Sequence, residues 1–171
     1  MVKPIIPGIS TTGRELGFER FKDKVCELLT GLGLLEVETF NLTSEEKQNK
    51  LMNAEGKPIH LHNALNIEYD VLRYWVIPSV LEVLNNNLSR EYPQNVFGIG
   101  TVFKSKDTDT GVLEQDRICV ALCSDDSDFT KIKQVLDFLM RMKTWFRSTI
   151  HYPTIIMGLY RQSIITASIA D

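Results

Sequence analysis

His60-Leu61-His62 sets two imidazoles two residues apart, on one side of an extended chain, a spacing that metal sites use. No third ligand stands near them in sequence, so they read as surface or packed histidines and no metal is expected. Cys119 and Cys123 also share one side of a strand, but four residues of extended chain hold them too far apart for a disulfide. With Cys26 they make an odd count without any CxxC, which suits small core residues in a reducing, cytoplasmic setting. Gly98-Ile99-Gly100 invites comparison with a phosphate-binding loop, yet the GxGxxG spacing and the following helix are both missing. Asp107, Asp109, Glu114 and Asp116 read as solvated charge in one loop. No GxSxG, HExxH or P-loop occurs, so no residue is nominated as catalytic.

The elements that would position these residues fit one module. At 171 residues a single core can form without a metal or disulfide staple. Residues 1–13, with Pro4, Pro7, Gly8 and Gly13, read as an extended arm, and residues 14–171 as the folded module. Nineteen basic against 22 acidic side chains give a net charge of −3, which argues against a free-standing nucleic-acid binder. No apolar run approaches the ~18 residues that span a bilayer, and the prolines at positions 4 and 7 break any signal-peptide core.

Phe18, Phe21, Val25, Leu28 and Leu32 recur at steps of three and four, which predicts a helix ended by Gly31 and Gly33. Its near-heptad seam suits packing against another helix, although an intramolecular core satisfies the same periodicity better. Leu34 to Phe40 alternates as a strand, with Leu35, Val37 and Thr39 on one side. Thr43-Ser44-Glu45-Glu46 predicts a capping box from Thr43 to Glu46 and a short polar helix to about Leu51. Ile59 to Leu65 reads as a strand, and Pro78 fits the first turn of a helix whose stripe is Val80, Leu81, Leu84 and Leu88. Asn95 to Lys104 and Arg117 to Cys123 predict a hairpin around a polar loop from Ser105 to Asp116. A helix through Arg141 follows, with Ile132, Val135, Leu136 and Leu139 inward, then two strands around His151-Tyr152-Pro153. The order favours an α+β fold, and the stop inside strand-like Ile164 to Ala170 predicts that the module continues past residue 171.

In that order the pieces resemble a known family. The helix leading into Gly33-Leu34-Leu35-Glu36-Val37-Glu38-Thr39-Phe40 is similar to motif 1 of class II aminoacyl-tRNA synthetases. Asn66 to Arg73 (NIEYDVLR), with Leu72 and Arg73 at its end, then Ile77-Pro78-Ser79-Val80-Leu81, resembles the E-x-x-x-L-R…L-P-x-L-L stretch of the phenylalanyl-tRNA synthetase beta subunit. Ser89 to Phe97, Gly100-Thr101-Val102-Phe103 and Phe129-Thr130-Lys131-Ile132-Lys133 continue the match, closest to the archaeal and eukaryotic branch. The sequence departs at Asn63-Ala64, where the family has Asn-Pro, and at Phe97-Gly98-Ile99-Gly100, where it has F-E-I-G.

The resemblance implies an antiparallel sheet flanked by helices, in a module that has kept the class II fold without its chemistry. It implies an alpha subunit that holds the active site, an α2β2 assembly, and ATP, magnesium, phenylalanine and tRNA for the whole enzyme. None of these cofactors would be bound by this module. An active motif 2 strand would carry an arginine and, two residues on, a glutamate; Phe103-Lys104-Ser105-Lys106 stands there instead. The motif 1 resemblance makes Phe18, Phe21 and Val25 candidate interface residues, with Phe18 and Phe21 toward the partner and Val25, Leu28 and Leu32 toward the core. Leu72, Arg73, Pro78, Leu81, Phe97, Gly100 and Phe103 are the structural positions it singles out. Isolated, the chain is expected to form a homodimer or expose an aromatic patch. The rival readings are an active class II enzyme, and a stand-alone paralogue that binds an amino acid or a regulatory partner.

Overall fold

The computed structural model describes residues 13–146 except 65 and 108, together with 154–160 and 164–170, with side chains described through residue 141. The N-terminal arm up to residue 12 and His151-Tyr152-Pro153 lie outside the described residues.

The first apolar stripe folds as α1 (Gly17–Gly31), but its inward row is Phe21, Val25 and Leu29 rather than Val25, Leu28 and Leu32. Leu29 is fully buried and Leu32 is 42% exposed. The reason lies in how the helix stops. Gly33 turns the chain at φ +84, its N–H donates to the Thr30 carbonyl at 2.9 Å, and the Leu34 N–H reaches back to the Leu29 carbonyl at 3.2 Å. This paired cap folds Leu34 onto Leu29, and the residue between helix and glycine, Leu32, is left outside.

Only Leu35–Glu36 of the predicted strand forms a ladder, as β1, and Leu35 on this edge is 67% exposed. β1 runs parallel to β5 (Gln94–Ser105), which pairs with β6 (Val112–Cys123) from Gln94↔Cys123 to Ser105↔Val112. The expected polar loop from Ser105 to Asp116 is therefore much shorter. Glu114 and Asp116 are strand residues, because an unbroken ladder with β5 outweighs the poor strand propensity of this polar run. β7 (Thr154–Tyr160) and β8 (Ile164–Ala170) complete a sheet of order β1-β5-β6-β8-β7, antiparallel except at β1. The α+β expectation holds.

Alternation along β5 and β6 divides the core in two. Phe97, Ile118 and Val120 face α1 and the buried Ile132 of α3 (Phe129–Phe146). Val96, Val102, Cys119 and Ala121 face α2 (Ile77–Asn86). Pro78 sits in the first turn of α2 as expected. Ile77 to Val80 are buried, Leu81 and Leu84 are half-buried, and Leu88, beyond the helix end, is 64% exposed.

A second sheet of three short strands stands beside the first. β2 (Leu42–Thr43) and β3 (Ile59–His60) pair on either side of β4 (Val71–Leu72), all antiparallel. The predicted capping box is shifted by one residue. Thr43 is buried in β2, and the Ser44 hydroxyl accepts from the Lys47 N–H at 3.4 Å. The turn it caps is wide, with Leu51 N–H bonded to the Glu46 carbonyl five residues back at 3.0 Å.

Candidate functional site

Arg73 follows directly on β4 and is 2% exposed. Its Nε donates to the Thr101 carbonyl at 2.8 Å, and Nη2 to Asn41 Oδ1 at 2.8 Å. Nη1 donates to Thr39 Oγ1 at 2.7 Å and reaches the Thr39 and Phe40 carbonyls at 3.3 Å. A planar fork of fixed N–H groups can hold three strangers to each other, here the segment after β1, the segment before β2, and β5. The Arg73 backbone adds to this: its N–H donates to the Asn41 carbonyl and its carbonyl accepts from Phe103 N–H, both at 2.9 Å. Burial lowers the pKa of the guanidinium, and the nearby Asp116 carboxylate raises it.

Gly100 makes this possible. A Cβ there would collide with Arg73 Nη2, so glycine leaves the room in which the guanidinium lies against β5. On the other side of the sheet Asp116 accepts from Thr101 Oγ1 at 2.7 Å and pairs with Lys22 of α1 at 3.4 Å. Burial by itself would lower the Lys22 pKa, but Glu19 and Asp116 outweigh it and hold the ammonium above its usual range.

A second polar cluster supports the small sheet. Gln48 is fully buried; its Oε1 accepts from the Tyr74 N–H at 3.2 Å, and its carbonyl from Tyr74 Oη and Trp75 Nε1 at 3.0 and 3.2 Å. Tyr74 stacks on Trp75 with ring centroids 5.7 Å apart and lies over Gly56, where a Cβ would collide with the ring.

A groove of about 660 Å³ opens at the small sheet. Phe40, Leu42, Leu61, Ala64 and Tyr69 wall it, with Asn41, Asn63 and Asn66 among them. None of these eight residues is charged. Phe40 is 78% exposed and meets Tyr69 edge to face at 6.2 Å.

The residues singled out from sequence scatter around this site. Arg73, Gly100 and Phe103 meet in it, and Leu72 pairs with Leu42 and Ile59 across the small sheet. Phe97, Pro78 and Leu81 belong to the core on either side of the main sheet. Phe21 and Val25, named for an interface, lie in the chain's own core at 6% and 7% exposure, because α1 needs that row to cover the sheet. Phe18 alone of the three is half-exposed, stacked on Phe21 with Lys22 over its ring. His60 faces Glu45 at 3.6 Å and His62 bonds Asn63, and no group of metal-ligating side chains assembles among the described residues. Burial pushes the Cys119 thiol up to about 12, and burial with a bond to Glu36 does the same at Cys26. The Thr39–Asn41 clamp, Gln48 and the groove were not foreseen; a glycine inside a strand opposite a lone arginine was the available signal.

The model of the family described as phenylalanyl tRNA synthetase beta chain CLM domain matches residues 2–151. The chain belongs to this family. Beta subunits of phenylalanine–tRNA ligase from Pyrococcus abyssi and Thermococcus onnurineus are 37% and 33% identical to it over 144 and 154 residues. The matches cover 82% and 81% of this chain but 26% and 27% of those subunits, so the chain spans about a quarter of their length. Two structures of pyrrolysyl-tRNA synthetase from Desulfitobacterium hafniense superpose with TM-scores of 0.59 and 0.60 at 11% and 10% identity. They cover 83% and 90% of this chain, and 50% and 66% of theirs. The fold of this beta-chain module is thus that of a class II synthetase.

The side chains do not fit the ATP and magnesium of an active class II site. The strand end Phe103-Lys104-Ser105-Lys106 holds neither the arginine nor the glutamate of an active site, with Phe103 turned inward at 9% exposure and Lys104 and Ser105 exposed beside it. The buried cation nearest that strand, Arg73, spends its N–H groups on the chain's own oxygens.

Proposed function

We propose that the chain is a non-catalytic scaffold within a phenylalanine–tRNA ligase beta subunit, and that it works by binding an alpha subunit. One observation carries the reading: in this synthetase fold the strand end Phe103-Lys104-Ser105-Lys106 holds neither the phosphate-clamping arginine nor the glutamate two residues on, and Phe103 packs inward. In this reading the alpha subunit supplies the chemistry that joins phenylalanine to tRNA with ATP and magnesium, in an α2β2 assembly. A reducing, cytoplasmic setting goes with it, since three thiols stand free of any disulfide among the described residues.

The test is sedimentation velocity of this chain mixed with the alpha subunit of the same organism. A heteromeric boundary is expected. Separate boundaries for the two proteins at micromolar concentration would contradict the reading.

A further inference from the structure

The groove beside the small sheet and the proline-bearing arm of residues 1–12 are the two apolar features that the core does not use. We propose that the arm of this chain docks in its own groove, the segment from Pro4 to Ile9 lying as a polyproline helix against the Phe40–Tyr69 ring pair. The proposal holds or fails independently of the alpha-subunit reading above.

The arm has the chemistry for it. Pro4-Ile5-Ile6-Pro7 is a P-x-x-P sequence, and each proline keeps the residue before it extended. At three residues per turn of polyproline helix, Pro4 and Pro7 fall on one ridge and Ile6 and Ile9 on the next. Such ridges dock on aromatic-lined grooves, and the prolines leave little conformational entropy to lose. From Pro4 to Thr12 no residue is charged.

The groove offers the complement. Phe40 and Tyr69 stand edge to face at its wall, both exposed, with Leu42, Leu61 and Ala64 beside them. No charged residue lines it, so an ionised group entering would lose its hydration without gaining a counter-ion. Asn41, Asn63 and Asn66 bring both amide donors and carbonyl acceptors, which the C=O and N–H groups of an extended backbone need. The lining therefore accepts an uncharged, apolar, extended segment, and tethering decides which one.

The arm is tethered close by. Lys22 of α1 pairs with Asp116 at 3.4 Å, and Asp116 accepts from Thr101 Oγ1 at 2.7 Å. Arg73 then ties the Thr101 carbonyl to that of Phe40, at 2.8 and 3.3 Å. These contacts set Lys22 and the groove wall at the same end of β5, on the order of 20 Å apart. Leu16 enters α1 in an extended conformation, φ −64 and ψ 143, and the ten residues from Pro7 to Gly17 reach about 30 Å. A segment on so short a tether acts at roughly millimolar effective concentration, and that advantage falls with tether length. The arm is thus favoured over a second copy, another subunit or remote parts of a longer beta chain.

The experiment is NMR on the 171-residue chain with labelled isoleucine methyls, comparing wild type, Phe40→Glu and Ile6→Asp. Wild type is expected to show nuclear Overhauser contacts from the Ile6 or Ile9 methyls to the Phe40 and Tyr69 rings. Each variant should lose the contacts to Tyr69, while the methyls of buried Ile77, Ile118 and Ile132 keep their shifts and report an intact fold. Should Phe40→Glu disturb those core shifts, Ile6→Asp still decides, because it alters the arm alone. Absence of arm-to-ring contacts in wild type overturns the proposal, as does their survival in a folded Phe40→Glu or in Ile6→Asp. A mixture of labelled and unlabelled chains separates contacts within one chain from contacts between two. Contacts found only between chains give the groove to a second copy and overturn the proposal as well.

Discussion

The two sheets of this protein are stabilised by different physics. The five-stranded sheet is held by area: Phe97, Leu29, Ile132, Val102 and Cys119 are all but inaccessible to water. The three-stranded sheet has only two residues per strand and too little apolar surface to hold itself. It is tied down by Arg73 and by the Gln48–Tyr74–Trp75 cluster. Area tolerates small errors in shape, whereas a buried fork of hydrogen bonds does not. The small sheet is therefore the part whose geometry is specified most narrowly, and the groove lies on it.

The comparison breaks most visibly with Phe97→Ala and Arg73→Ala. The first should cost ~3–5 kcal/mol by opening a cavity. The second should cost about 3–5 kcal/mol by emptying a buried site and leaving the oxygens of Thr39, Phe40, Asn41 and Thr101 without the donor they share. Urea unfolding measures both, and Arg73→Lys separates them further, because an ammonium cannot reproduce the fork and should rescue little. A full rescue by lysine would mean that charge alone matters there.

Gly100→Ala comes next, at ~1–3 kcal/mol, since the new methyl must displace the guanidinium. In an Arg73→Ala background the same change should cost much less, and additive effects in that double-mutant cycle would deny the contact. Leu29→Ala and Leu32→Ala sharpen the reading of α1: about 2–5 kcal/mol for the buried residue and within ~0.5 kcal/mol for the exposed one. Half-buried Leu81 should fall between them.

The smallest expected effect depends on pH. The Lys22 pKa is raised in the folded state, so its ion pair stabilises fully below the unfolded lysine value of about 10.4. That contribution is lost as pH rises through the higher folded value. Cys26 and Cys119, pushed up to about 12, lose theirs over the range above 9. Unfolding midpoints between pH 8 and 11 should fall for wild type and fall less for Lys22→Met.

Much of the large sheet was legible in the sequence because burial leaves a period. Two-residue alternation gave β5 and the end of β6, and Pro78 gave the start of α2. The end of the α1 stripe departs from the heptad expectation, with Leu29 buried in place of Leu28 and Leu32 exposed, since a heptad template ignores the cap that carries Leu34 past Leu32. The small sheet and the groove were hard to read for a different reason. Two-residue strands carry no period, and Asn41, Gln48, Asn63 and Asn66 look like loop residues until the fold brings Arg73 and Tyr74 to them.

The central claim is that this synthetase fold scaffolds rather than catalyses, and phenylalanine-dependent ATP–pyrophosphate exchange tests it most directly. The account predicts no exchange by the purified chain at any concentration of phenylalanine, ATP and magnesium. Exchange that co-purifies with the chain and disappears in Lys104→Ala would contradict it.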